Sequence, residues 1–424
     1  VLFLSPVWPE RTSSAAGVRT SDLLEAFCRR GWRAAYASSS TPNEHTAALQ
    51  AAGVAAFQCQ PNRESQLADI LAAVQPTAVV FDRFYSEEAY SFRTRELAPG
   101  AMRLLDMQDF HALRGGRQRL AEAGAAMEAV QACRPDAVAP DCLRELAAIH
   151  RSDLVLVCSP VELQLLIGHY GVPASKVVLA PFFAPPSPHT SVAGAAGPDQ
   201  ACPSHAERKH FLMIGNWRHP PNLDSARWAC SEIWPALRAA LPSEHRDAQL
   251  HMYGSYAAGA AQQLHRPKEG VHMKGFAPSL DIMLRYRVLL APLRYGAGLK
   301  GKVVDSWWHG LPVATTPIGA EGMTGAAAAP AWGGLCGATS AGGIATAAAL
   351  LYSDQRLWQV CQQRGFELLQ MLYDRDRNLG RVLEAVAATA EQLEVLRQQD
   401  FVGQMLWQQQ LRATDYFSRW IELK

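Results

Sequence analysis

The sequence lacks most of the marks that would commit it to an extracellular, membrane or nucleic-acid role. Its nine cysteines are an odd number, scattered singly with no C-x-x-C pair. Neither a disulfide framework nor a structural zinc site is therefore expected, and buried thiols in a reducing compartment are the simpler reading. No N-x-S/T glycosylation acceptor occurs. There is no apolar run of about eighteen residues, the length a transmembrane helix needs. Charge of one sign is not in excess, with 40 Lys and Arg against 39 Asp and Glu, so no nucleic-acid partner is expected. The loop after the first strand lacks the dinucleotide fingerprint G-x-G-x-x-G, and Gly301-Lys302 is followed by Val303 where the P-loop G-x-x-x-x-G-K-S/T needs Ser or Thr. The chain starts at Val1 in what already reads as a strand, so any targeting segment would lie upstream. The expectation is a cytoplasmic protein with no resident cofactor or metal.

What is present is a long alternation of apolar runs and amphipathic stretches. The 424 residues, 49% hydrophobic and 19% charged, can bury two cores. "VLFL", "AAYAS", "VAAFQ", "AVVFD", "MRLLD" and "LVLVCS" read as strands apolar on both faces, as in a parallel sheet covered by helices. Between the first two, Leu23, Leu24 and Phe27 share one face of a helix expected over Thr20–Arg30, with Gly31 as its stop. Residues 185–208 are rich in Pro, Ser, Ala and Gly and read as a linker or mobile loop. The alternation then restarts with "HFLMIG", "AQLHMYG", "VLLAPL" and "PVATT". The predicted organisation is an α/β domain over 1–184, the linker over 185–208, a second α/β domain over 209–375, and a helical tail over 376–424 packing across the domains.

In such sheets ligands bind beyond the carboxyl ends of the strands, so the loops after strands carry the candidate sites. The first, "SPVWPERTSSAAGVR", places small residues including Gly17 before Arg19 at a helix start, where an anion is favoured. "LLDMQDFHALR" gathers Asp106, Asp109, His111 and Arg114, either as groups that orient hydroxyls and move protons or as a helix cap with surface polar residues. "IGNWRHPPN" offers Asn216, Arg218 and His219, and "YGS" offers Gly254 as a close backbone approach. The densest signal is "RYGAGLKGK", which packs Gly296, Gly298, Gly301, Lys300 and Lys302 just before a helix. Glycine amides there can point at phosphate oxygens, and the lysines add charge. Lys302 and Asp305 are three apart and can share a helix face. A D-x-D, Asp374-Arg375-Asp376, lacks strand context and reads as solvated surface.

The run "APLRYGAGLKGKVVDSWWHGLPVATTPIGAEGM" resembles the signature segment of family 4 (group 1) glycosyltransferases, in the subgroup with the pattern R-x-G-x-G-x-K-x-K. "RSDLVLVCSPVELQLL", "FLMIGNWRHPPNLDSARW" and "GVHMKGFAPSLDIMLRYRVLLAPL" resemble other segments of that family, over most of Arg151 to Met323. The resemblance implies the GT-B fold: two Rossmann-like doubly wound domains facing across a cleft, here with a C-terminal helical extension. It implies a hexosyltransferase-like enzyme, retaining and metal-independent. The nucleotide-sugar donor would sit on the C-terminal domain and a glycan, lipid-linked or small-molecule acceptor on the N-terminal one. By analogy Lys302 and the backbone of Gly296, Ala297 and Gly298 hold the diphosphate, with Arg294, Tyr295, Leu299, Lys300, Asn216 and Gly254 around the donor. Arg218 assists, and Gly17 and Arg19 close from the other domain. Asp305 contacts the ribose, and Asp109 and His111 lie near the acceptor and the transferred sugar. Two departures stand out. Ala297 replaces the family's first glutamate and Asp305 shortens the second, so a non-catalytic nucleotide-sugar or glycan-binding scaffold is the alternative. Trp307 and Trp308, where the family has small residues, read as altered core packing.

Overall fold

A computed structural model describes residues 1–11, 15–61, 63–189, 202–257, 259–324, 332–408 and 420–421. The first sheet is all parallel, with β1 (Leu2–Ser5), β2 (Ala35–Ser38), β3 (Ala55–Gln58), β4 (Ala78–Asp82), β5 (Met102–Asp106), β6 (Leu154–Val157) and β7 (Val177–Leu179). Their spatial order is β3-β2-β1-β4-β5-β6-β7. The second sheet runs β10-β9-β8-β11-β12-β13, with β8 (Lys209–Ile214), β9 (Leu250–Tyr253), β10 (Val271–Gly275), β11 (Tyr286–Ala291), β12 (Val313–Thr315) and β13 (Gly334–Leu335). The central strands are buried on both faces, β1, β4, β5, β6 and β11 along their whole length. Each sheet is sandwiched between two apolar clusters. The order reverses between β1 and β4 and again between β8 and β11, so each sheet has a switch-point crevice.

Most apolar runs fall where strands were expected, but boundaries move. The first helix spans Ala15–Arg29 and starts five residues before the expected Thr20. After β8 the helices Pro220–Trp228 and Trp234–Ala240 are joined by a π-helical turn, Ala229–Ile233. Asp374, from the D-x-D, caps the helix Arg375–Glu391 by accepting from the amide of Arg377.

The stretch expected to be a linker is partly built into the second domain. Arg208 is fully buried, and its guanidinium donates to the carbonyls of Pro203, Met283 and His309. Ser187 Oγ donates to Trp308 O. Three backbone acceptors explain how a buried arginine is tolerated there. The centre of the stretch, 190–201, lies outside the described residues.

The chain crosses between domains twice at one place. Ala184 N donates to Tyr373 O at 2.7 Å, and Arg375 N donates to Ala184 O at 3.0 Å. Beyond this point the chain returns to the first sheet as a helical extension. Leu379, Val382 and Val386 of the helix Arg375–Glu391 join the cluster under β1, β2, β4 and β6. Each such side chain contributes about 1.5–3 kcal/mol of burial. Arg397 and Arg103 both grip Asp153, and Lys176 bonds Asp400.

Candidate functional site

The carboxyl ends of both sheets face one cleft of about 890 Å³. Its lining comes from the segments after eight of the thirteen strands, including Ala15 and Arg83 on one wall and Asn216, Gly254 and Lys302 on the other. The two sides meet closely. Helix Ala15–Arg29 and helix Gly301–Trp308 point their N-termini at each other, and a Cβ added to Gly301 would stand 2.7 Å from Ala15 Cβ. Each N-terminus carries about half a positive charge. Two such ends converging beside a lysine make an anion site.

Lys302 supplies that lysine. Its Nζ donates to Asn222 Oδ1 at 2.8 Å and lies against Gly215. Partly open to the cleft yet enclosed by protein on most sides, it is desolvated; this and the nearby Lys300 charge bring its pKa down to about 8. One turn on, Asp305 lines the same cleft, and burial pushes its carboxyl up to about 7. Its backbone carbonyl accepts from His309 Nδ1 at 2.6 Å, which leaves the carboxyl free to face the cleft.

The loop before this helix does a different job from the one its glycines suggest. Gly298 has φ of +63°, and a Cβ there would come within 2.9 Å of Asp109 Cβ. Its amide donates to Glu162 Oε1 across the domain boundary at 2.6 Å, so it is not available to a phosphate. Glu162 also accepts from Phe110 N, and burial followed by the Asp109 charge raises its pKa. The carbonyl of Gly296 accepts from Arg117, which also forms a two-toothed pair with Glu321 at 2.6 and 2.7 Å. Lys300 folds back on its own loop, donating to Gly298 O at 2.7 Å, rather than reaching outward. The glycines thus serve domain docking, and the anion site is left to Lys302 and the helix ends.

Other expected donor contacts are placed as follows. Asn216, Gly254, Tyr295, Gly296, Ala297, Leu299 and Lys300 line the cleft. Arg294 does not; it pairs with Asp224. Arg218 is exposed, with its guanidinium 3.8 Å over the Tyr256 ring, and is not part of the lining. Gly17 packs on the Glu10 backbone while Ala15, Ala16 and Val18 face the cleft. Arg19 reaches the cleft edge, but its charge is spent on Asp106 and its Nη1 on the Ala180 and Pro181 carbonyls, leaving it 1% accessible. Trp307 is core, donating to Gly333 O. Trp308 is not: it lines the cleft and donates to Pro185 O at 3.1 Å, tying the Lys302 helix to the domain crossover.

The N-terminal wall holds Asp109 and His111 as expected, and also residues that sequence reasoning missed. Burial alone would raise the Asp109 carboxyl, but Arg114, His111, His219 and Arg83 outweigh it and hold it below the usual range. The same burial is overcome at His111, whose pKa is raised by Asp109 and Glu145. Glu145 takes both first amides of the helix His111–Glu122, from His111 and Ala112. His219 goes the other way, down to about 4, from burial and the Arg114 charge. Arg83, Tyr85 and Gln108 complete the wall. Arg83 and Gln108 have φ of +68° and +63°, two of only five such non-glycine residues among those described. No sequence signal marks that geometry. Nor is Glu162 visible, because Ser159 three residues before it makes it look like part of a helix cap.

Residues 208–354 match the family described as "Glycosyl transferases group 1". No curated protein matches the chain by sequence. Among solved structures, Anabaena HepE in complex with UDP and glucose superposes with a TM-score of 0.65 at 10% identity, over 91% of this chain and 99% of that one. Sucrose-phosphate synthase from Thermosynechococcus elongatus gives 0.65 at 14% identity, over 92% and 99%. A glycosyltransferase from Rickettsia africae gives 0.64 at 12%, over 90% and 97%. The chain therefore has the GT-B fold, and within it residues 208–354 match the group 1 glycosyl transferase model.

Proposed function

We propose that the protein is a glycosyltransferase that moves a sugar from a nucleoside-diphosphate sugar to an acceptor, with retention and without a metal ion. The observation that carries this reading is the convergence of two helix N-termini and Lys302 on one point of an interdomain cleft. Cleaving the bond between sugar and diphosphate builds negative charge on the leaving oxygen. Fixed amides and an ammonium group placed there in advance stabilise that charge, and one such donor is worth about 3 kcal/mol. Positive charge supplied by the protein itself is the reason to expect no metal requirement. Asp305 is positioned to accept from the ribose, and the Asp109–His111 wall to contact the transferred sugar. A glycosyl transferase group 1 match over residues 208–354, which include Lys302 and Asp305, and UDP and glucose in the HepE complex, support a nucleotide-sugar donor.

The test is thermal shift across nucleoside diphosphates and their sugars, with Lys302→Ala as control. Stabilisation by one base that disappears in the variant supports the donor site, and transfer from the matching sugar supports the enzyme. Ala297, where the family has a glutamate, keeps a second reading in view. Nucleotide binding without transfer or hydrolysis under any acceptor would identify a binding scaffold.

A further inference from the structure

The N-terminal wall carries more cationic capacity than its carboxylates use. Arg83 follows β4, at the reversal point of the first sheet, and its side chain is 18% accessible. Only Nη1 is engaged, with Tyr85 OH at 2.8 Å and Asp82 Oδ2 at 3.3 Å. Nε and Nη2, the edge that matches an oxyanion with two parallel bonds, have no partner among the described residues. Arg114, on the same wall, is engaged only through Nη1, with Asp109. Arg83 and Arg114 are thus each paired with a carboxylate through one nitrogen, whereas Arg117 is engaged through both Nη1 and Nη2.

The backbone at Arg83 points the same way. At φ +68° and ψ 162° it occupies a region essentially restricted to glycine. A non-glycine residue is strained there, and this one lines the cleft with its guanidinium 5.9 Å over the Tyr85 ring. Asp109 sits between this pair and the second domain, with Arg83, Arg114 and His219 all within electrostatic reach. His219 in turn feels Lys302. Arg83 and Lys302 line the same cleft from its two walls.

Building on the glycosyltransferase reading, we propose that Arg83, assisted by Arg114, binds an anionic group of the acceptor, a phosphate or a carboxylate. The acceptor is then a charged molecule rather than a neutral sugar. Arg83 determines specificity and takes no part in bond breaking.

Calorimetric titration of the full chain saturated with UDP tests this, with glucose 6-phosphate, glucuronate, inorganic phosphate and glucose as probes. At least one anionic probe is expected to bind ten-fold or more tightly than glucose, and whether phosphate or carboxylate wins names the group. Arg83→Gln should remove that preference while the UDP dissociation constant stays within two-fold. Arg83→Gly should remove it equally and melt at or above the wild-type temperature, because it relieves the backbone; this separates recognition from folding. Equal binding of anionic and neutral probes, no binding of any anion, survival of the preference in both variants, or an equal loss of UDP affinity would each overturn the proposal. If UDP does not bind the wild-type protein, the nucleoside diphosphate that stabilises it in the thermal-shift panel replaces UDP; if none does, the donor reading falls, and the same titrations without nucleotide still decide on Arg83.

Discussion

Lys302 makes nucleotide binding a proton-linked event. In the free protein its pKa is down at about 8 because burial and Lys300 disfavour the ammonium form. A diphosphate beside Nζ favours that form and moves the pKa back toward its ordinary value of about 10.4. The sign follows: affinity is full while free Lys302 is protonated and falls as pH rises through 8. At pH 7 about 90% of Lys302 is charged and at pH 9 about 10%, so UDP should bind about nine-fold more weakly at pH 9, or about 1.3 kcal/mol. Titrating wild type and Lys302→Arg with UDP from pH 7 to 9 checks this. Arginine does not titrate in the range, so the variant cancels any change in the nucleotide itself. Repeating the wild-type titration at pH 8 in buffers of different ionisation enthalpy should show about half a proton taken up. Equal pH slopes in the two proteins, or no proton uptake, would refute the argument that a desolvated Lys302 meets the diphosphate.

Four further outcomes are expected. Asp305, raised to about 7 by burial, favours the folded state below the unfolded pKa of about 4 and loses that contribution as pH rises through 7. Since solvent reaches it from the cleft, Asp305→Asn should gain about 1–2 kcal/mol over wild type between pH 5 and 8.5, read from denaturant melts. Arg117→Ala leaves Glu321 buried without its partner, which should cost about 3–5 kcal/mol and open the two domains in solution scattering. Gly298→Ala meets both a left-handed backbone and Asp109, so transfer should fall by more than ten-fold (about 1.4 kcal/mol) while UDP affinity changes little. A chelator should leave transfer intact; loss restored by manganese would replace the amide-and-lysine account of the leaving group.

The sequence exposed the architecture more readily than the site. Strands such as "AVVFD" and "LVLVCS" are apolar on both faces because helices cover both, and that is a local, readable consequence of a parallel sheet. Lys302 and Asp305 were legible for a similar reason, since spacing on one helix turn is a local property. The roles of Gly298, Glu162 and Arg117 were not. They bond residues 136, 136 and 204 positions away, and no pattern within a loop predicts which domain it will touch. Arg218 failed for the same cause: whether an arginine after a strand turns to the cleft or onto Tyr256 is decided by the neighbouring loop. Arg83 needed its backbone angles, which arginine normally does not adopt.

The paired crossovers at Ala184 and Tyr373–Arg375 have a consequence for biosynthesis. The second sheet is assembled entirely from chain lying between them, so its entry and exit stand side by side, as in an inserted cassette. The first sheet, although translated before the second, is missing Leu379, Val382 and Val386 from its core until the second has been translated. The order in which the two sheets leave the ribosome is therefore the reverse of the order in which their cores can be completed: the inserted one has all its strands first, and the first one waits for the helix Arg375–Glu391 that follows it.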